Sequence, residues 1–124
     1  MKTHWLKFLC LVGVLLAFEG CFREGTAELT IVNESSETVV VLRVTVDENM
    51  QMVRDLKHGE QTKMRFLVKR PSDYHIDVEF SSGRTIWKDV GYLVRETSIL
   101  DKIIIHETGI EFNSVLVETS DPDI

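Results

Sequence analysis

Residues 74–81, Tyr-His-Ile-Asp-Val-Glu-Phe-Ser, alternate without a slip. Tyr74, Ile76, Val78 and Phe80 fall on one side, and His75, Asp77, Glu79 and Ser81 on the other. A period of two belongs to an extended strand with one buried and one wet face, and a helix cannot satisfy it. Ser82-Gly83 then supplies a tight turn, because glycine tolerates the positive φ that a two-residue hairpin loop demands. That loop fixes a register. Val78 is expected opposite Trp87 in the core, and Asp77 opposite Lys88 outside, each pair contributing roughly 0.2–1 kcal/mol. A loop one residue longer is expected to drive Lys88 into the core, a costly burial of charge. The two-residue loop is therefore the expectation, with Trp87 inside.

The rest of the chain reads in the same idiom. Extended stretches are expected over 29–33, 38–47, 50–56 and 61–69, separated by the turn chemistry of Glu34-Ser35-Ser36-Glu37, Asp47-Glu48-Asn49 and Lys57-His58-Gly59-Glu60. In 38–47, Val40, Leu42, Val44 and Val46 share a face, while Val39 and Val41 make the other face half apolar, which suits a central strand. Met50, Met52 and Val53 break the alternation of the next stretch, so a bulge is expected there. After Gly91, 92–94 is short, 99–106 is the last clear strand, and 110–112 folds back as an edge. The fold class is all-β: about seven strands in an antiparallel two-sheet sandwich of immunoglobulin-like architecture, with a small closed barrel as the alternative. The expected domain covers 29–112, after a signal segment (1–20) and a linker (21–28) and before an acidic tail (113–124).

At 124 residues there is room for one domain. A composition 44% hydrophobic and 27% charged excludes a disordered chain. The net charge is −6, and Lys2 and Lys7 oppose only Glu19 near the start, so the remainder is the more acidic part. A surface of that sign repels phosphate backbones and argues against nucleic-acid binding.

Lys2, His4 and Lys7 form a cationic start to an apolar run over 8–18, eleven residues long. A spanning helix needs about 20, so this run fits a cleaved signal segment. Leu16-Ala17-Phe18-Glu19-Gly20-Cys21 resembles the lipobox of bacterial lipoproteins, with Gly20 and Cys21 at the two most restrictive positions and Phe18 and Glu19 departing from the usual residues. The resemblance implies cleavage before Cys21, acylation of that residue, and a membrane-anchored place in the bacterial cell envelope. Phe22 rather than Asp after the cysteine further implies the outer membrane, facing the periplasm, in a Gram-negative cell. Several acyl chains hold a protein stably at about 0.8 kcal/mol per buried CH2. Secretion with cleavage after Ala27 is the alternative, since Gly25-Thr26-Ala27 carries small residues at both specificity positions.

Few residues suggest chemistry. His75, Asp77 and Glu79 share the outer face of one strand and could chelate a metal ion; the plainer reading is a solvated face with Asp77 answered by Lys88. His58 in a turn and His106 on the last strand have no cysteine partner. No serine sits in a Gly-x-Ser-x-Gly turn, and no glycine-rich phosphate loop or cofactor motif occurs. Lys63, Arg65, Lys69 and Arg70 cluster as a basic stretch that fits either an anionic partner or a guarded edge. Asn33-Glu34-Ser35 matches a glycosylation sequon, idle in a bacterium. Tyr92 is left as a rim contact. These readings give a non-catalytic, lipid-anchored envelope protein that binds another protein. The alternatives are a neutraliser that occupies the basic cleft of an envelope toxin or hydrolase, and an enzyme in which His75, Asp77 and His106 converge.

Overall fold

The structure, a computed structural model, describes residues 25–119. The signal segment and Cys21 lie outside the described residues. Eight strands follow one another: β1 (Gly25–Asn33), β2 (Val39–Val46), β3 (Asn49–Leu56), β4 (Gln61–Val68), β5 (Ser72–Phe80), β6 (Thr85–Leu93), β7 (Thr97–Ile105) and β8 (Ile110–Thr119). They form two four-stranded sheets, ordered β4-β1-β7-β8 and β3-β2-β5-β6. There is no helix among the described residues. The inner faces enclose one core in which Leu29, Leu42, Ile76, Phe80 and Ile103 are fully buried.

Several expectations are corrected. Among the described residues the count is eight strands, and not every pair is antiparallel. β1 lies between β4 and β7 and runs parallel to β7, from Thr26 opposite Ser98 to Asn33 opposite Ile105, so the first sheet is mixed. β1 begins at Gly25, which takes 25–28 out of the expected linker. Gly25 is needed there, since a Cβ would come within 2.7 Å of the Val94 carbonyl oxygen and 2.9 Å of that of Thr97. At the other end, 113–119 is not tail: β8 pairs with β7 as far as Thr97 opposite Thr119. The bulge expected in β3 is absent, and Met50 and Met52 face outward opposite Thr45 and Arg43 in unbroken register. The slip lies in β2 between Val39 and Val41, so Val39, not Val40, joins Leu42 inside.

The β5–β6 hairpin departs from its expected register by one residue. Phe80 N–H donates to the Arg84 carbonyl and Gly83 N–H to that of Phe80, both at 2.8 Å. The loop is therefore Ser81-Ser82-Gly83, with Gly83 at φ 88°. Val78 faces Ile86, Asp77 faces Trp87, and Ile76 faces Lys88. Lys88 does point inward, but β6 is an edge strand. The residue stays exposed, and Nζ reaches the open side and donates to the Ile110 carbonyl of β8 at 3.0 Å. The burial penalty that favoured the shorter loop thus never arises, and Trp87 turns to solvent with 66% of its surface exposed. The opposite open side is bridged likewise: Gln51, on the inner face of edge strand β3, donates to the Arg65 carbonyl of β4 at 2.6 Å.

All four loops at one end of the sandwich are tied together. Asn33 is fully buried and donates through Nδ2 to the carbonyls of Glu37 and Leu56, each at 2.9 Å, while its Oδ1 accepts from Ser35 N–H at 3.0 Å. His58 Nδ1 lies 2.7 Å from the Ser35 carbonyl oxygen. Glu37 accepts from Ser82 N–H at 3.0 Å and pairs with Arg84 at 3.2 Å. Those contacts, from Ser82 foremost, hold its carboxyl below the ordinary glutamate range. Arg84 stacks over Phe80, 4.3 Å from its ring centroid, and also donates to the Glu107 carbonyl. In the folded chain the amide of this sequon asparagine is thus spent on two backbone carbonyls.

Candidate functional site

The outer face of the β3-β2-β5-β6 sheet concentrates the exposed groups capable of recognition. Cross-strand pairing arranges them in rows. One row reads Met50, Thr45, His75, Asp89; the next reads Met52, Arg43, Asp77, Trp87; the third reads Arg54, Val41, Glu79, Thr85. Trp87, Met50 and Met52 are 66%, 53% and 42% exposed, well beyond what scattered surface residues need. Tyr92, also exposed, follows on the same edge strand beyond Gly91. Gly91 adopts φ 84° and absorbs a register shift between β5 and β6, which lets Leu93 return to the core.

His75 is the electrostatic centre of this face. Its Nδ1 is 2.5 Å from Asp89 Oδ1 and its Nε2 is 3.1 Å from Asp77 Oδ2. The Trp87 ring lies alongside at 5.7 Å between centroids, tilted by 33°. With a carboxylate at each ring nitrogen the imidazolium is favoured, and the hydrogen bond to Asp89, with the charges of Asp77 and Asp89 behind it, raises the histidine pKa against the opposing effect of desolvation. Of the expected trio His75, Asp77 and Glu79, the first two meet. Glu79 stands in another row, opposite Val41 and Thr85, and Asp89 takes its place. Asp77 is answered by His75, not by Lys88. No group of three or more His, Cys, Asp or Glu residues suited to a metal ion occurs among the described residues. Asp89 escaped the sequence reading because the misplaced loop put Lys88 on this face. Counting from Gly83 as the third loop residue would have found it.

The remaining candidates stay apart. His106 is at the far end of β7, 3.9 Å from Glu111, and His58 belongs to the loop knot, so neither joins His75. Lys63 and Arg65 lie on the outer face of the other sheet, opposite Thr30 and Glu28, whereas Arg70 pairs with Asp47 at 3.0 Å. A shallow depression there is lined by Glu28, Lys63, Leu100, Asp101, Lys102 and Val115, among others. One buried acid went unnoticed in the sequence. Asp101, 3% exposed, sits in phase with Ile99 and Ile103 on the inner face of β7 and accepts from Tyr74 Oη at 2.8 Å. Burial raises its pKa, and burial together with the Asp101 charge raises that of Tyr74. Tyr74 is fully buried, and Asp101 lies at the floor of the shallow depression between β1, β7 and β8.

No family model matches the chain, and no curated protein matches it in sequence. Among solved structures, it is similar to a protein from Eubacterium rectale, at 17% identity and a TM-score of 0.50, over 72% of this chain and 87% of that one. It is also similar to a provisionally assigned cell adhesion protein from Bacteroides uniformis, at 14% identity and a TM-score of 0.46, over 77% of this chain and 51% of that one. The first likeness is one of fold alone, and the second carries no argument about role.

Proposed function

We propose that this chain is a non-catalytic protein-binding module of the bacterial cell envelope, held at a membrane by lipid on Cys21. The outer face of the β3-β2-β5-β6 sheet is its binding surface. The observation that carries the reading is that face itself. Exposed Trp87, Met50 and Met52 share the face with Arg43, and Trp, Met and Arg are the residue types enriched where proteins bind one another. The fold is read as an immunoglobulin-like sandwich, which commonly works by presenting sheet faces or loops.

The anchor fits this use. Cys21 precedes Gly25 by four residues, a reach of at most about 14 Å. Lipid there would keep the end of the sandwich bearing Val94 and Thr97 close to the bilayer, with the knotted loops directed away and the sheet face standing beside them. Two experiments test the reading. Metabolic labelling with an acyl analogue should mark the wild type and not Cys21→Ser; label retained on the serine variant removes the anchor. A photo-crosslinking residue at position 87 should capture a protein in intact cells, while one at Lys102 on the other sheet should not; equal capture at both removes the face.

A further inference from the structure

We propose that the partner of this face is a second copy of the chain, docked about a two-fold axis that runs along the strands. The inference rests on the reading of the face as a protein-binding surface and names what binds it. A two-fold contact uses the same patch twice, so the patch must complement itself. This one does. Its β5–β6 half carries Asp77, Glu79 and Asp89 around His75, and its β3–β2 half carries Arg43 and Arg54 beside the two methionines. An in-plane axis parallel to the strands exchanges the two halves and leaves each row at its own level. Asp77 then meets Arg43 of the second copy, and Trp87 meets Met52 of the second copy, each pair occurring twice. His75 lies over Thr45 of the second copy, and Asp89 over Met50.

Charge decides against the other in-plane axis. Centred on the same row, an axis across the strands lays Asp77 on Asp77 and Arg43 on Arg43, like charge on like. The chosen axis brings Asp77 and Arg43 together twice in the middle row, and complementary potentials fix register as well as attract. The Trp87–Met52 contact adds sulfur against an aromatic ring, a favourable pairing. Aligned sheets also pack face to face naturally, crossing at about 30° because each is twisted.

Size sets how the contact behaves. Strands about 4.8 Å apart with about 3.3 Å per residue give a four-stranded face of about 500 Å² over eight residues, or about 1,000 Å² from both copies. That is the lower end for a specific interface, so the association is reversible and concentration-dependent.

Charge reversal gives the test. The full chain, purified in a non-ionic detergent, is followed by sedimentation over a concentration series. The wild type should show a monomer–dimer equilibrium. Asp77→Arg alone and Arg43→Asp alone should each weaken it at least tenfold, because each homodimer then faces like charge with like. Mixing the two variants should restore the dimer, since both ion pairs re-form in the mixed pair. Restoration also excludes misfolding and chains that merely share a micelle. Trp87→Ala, which alters only an exposed side chain, should weaken the wild-type dimer by a similar factor. A wild type that stays monomeric, reversals without effect, or a mixture that stays monomeric overturns the proposal. If the chain is monomeric while position 87 still captures another protein in cells, the face binds a different partner and only the second copy is wrong. If capture fails too, the binding face falls with it.

Discussion

Gly91 meets two demands that a side chain would defeat. Its φ is 84°, and a Cβ there would stand 3.0 Å from Tyr74 Cδ2 and 3.3 Å from Phe112 Cζ. Gly83 has a similar φ of 88° and nothing within 4 Å. The pair separates backbone strain from crowding. Gly83→Ala should cost about 1 kcal/mol and Gly91→Ala about 2–4 kcal/mol, read from urea unfolding of each variant. Equal losses would mean that Tyr74 and Phe112 yield freely. His75 gives a second residue-scale prediction. Its pKa is raised in the folded chain, so the stability it adds is fully present below the ordinary value of 6.5 and is lost as pH rises through the higher folded value. The facing groups are Asp77 on its own strand, Asp89 on β6 and Thr45 on β2. Ring titration followed by NMR should show the raised pKa, and Asp89→Asn should lower it more than Asp77→Asn, because the Asp89 hydrogen bond is the larger cause. At this scale the sequence was a partial guide. Tyr74, Ile76, Val78 and Phe80 announced their burial by period, whereas Trp87 was misassigned because its side depends on one residue of loop length.

Elements bear out the periodic reading and show where it stops. Alternation located β5 and the later half of β2, since a half-buried strand imprints its two environments on successive residues. It could not foresee that inward positions on edge strands accept Lys88 and Gln51, because their value lies in carbonyls of the other sheet, distant in sequence. Such inward polar groups also make an edge a poor template for stray strands. The loop knot was equally hidden. Asn33 and Ser35 look like turn residues and a modification signal, yet Asn33 is the buried hub joining the β1–β2 turn to the end of β3. Asn33→Ala strands two buried carbonyls and an N–H at once and should cost about 2–4 kcal/mol in chemical denaturation. Asn33→Asp tests the same hub, because it keeps the acceptor for Ser35 and loses both donors, and it should remain clearly destabilised. A loss below about 1 kcal/mol for both variants would show that water replaces those bonds.

For the whole molecule, two stacked sheets were legible because turns recur often enough that only a sandwich or a barrel can bury so many short apolar faces. The mixed sheet was not, because direction between strands some seventy residues apart leaves no mark on local alternation. The position of β1 has a temporal side. Its parallel neighbour begins only at Thr97, so during synthesis the first strand made is flanked on one side by nothing until nearly the whole polypeptide has emerged. Loop closure over that distance is slow. A nascent chain of this kind keeps Ala27, Leu29 and Ile31 without their full shelter until its last quarter arrives, a window open to misassembly.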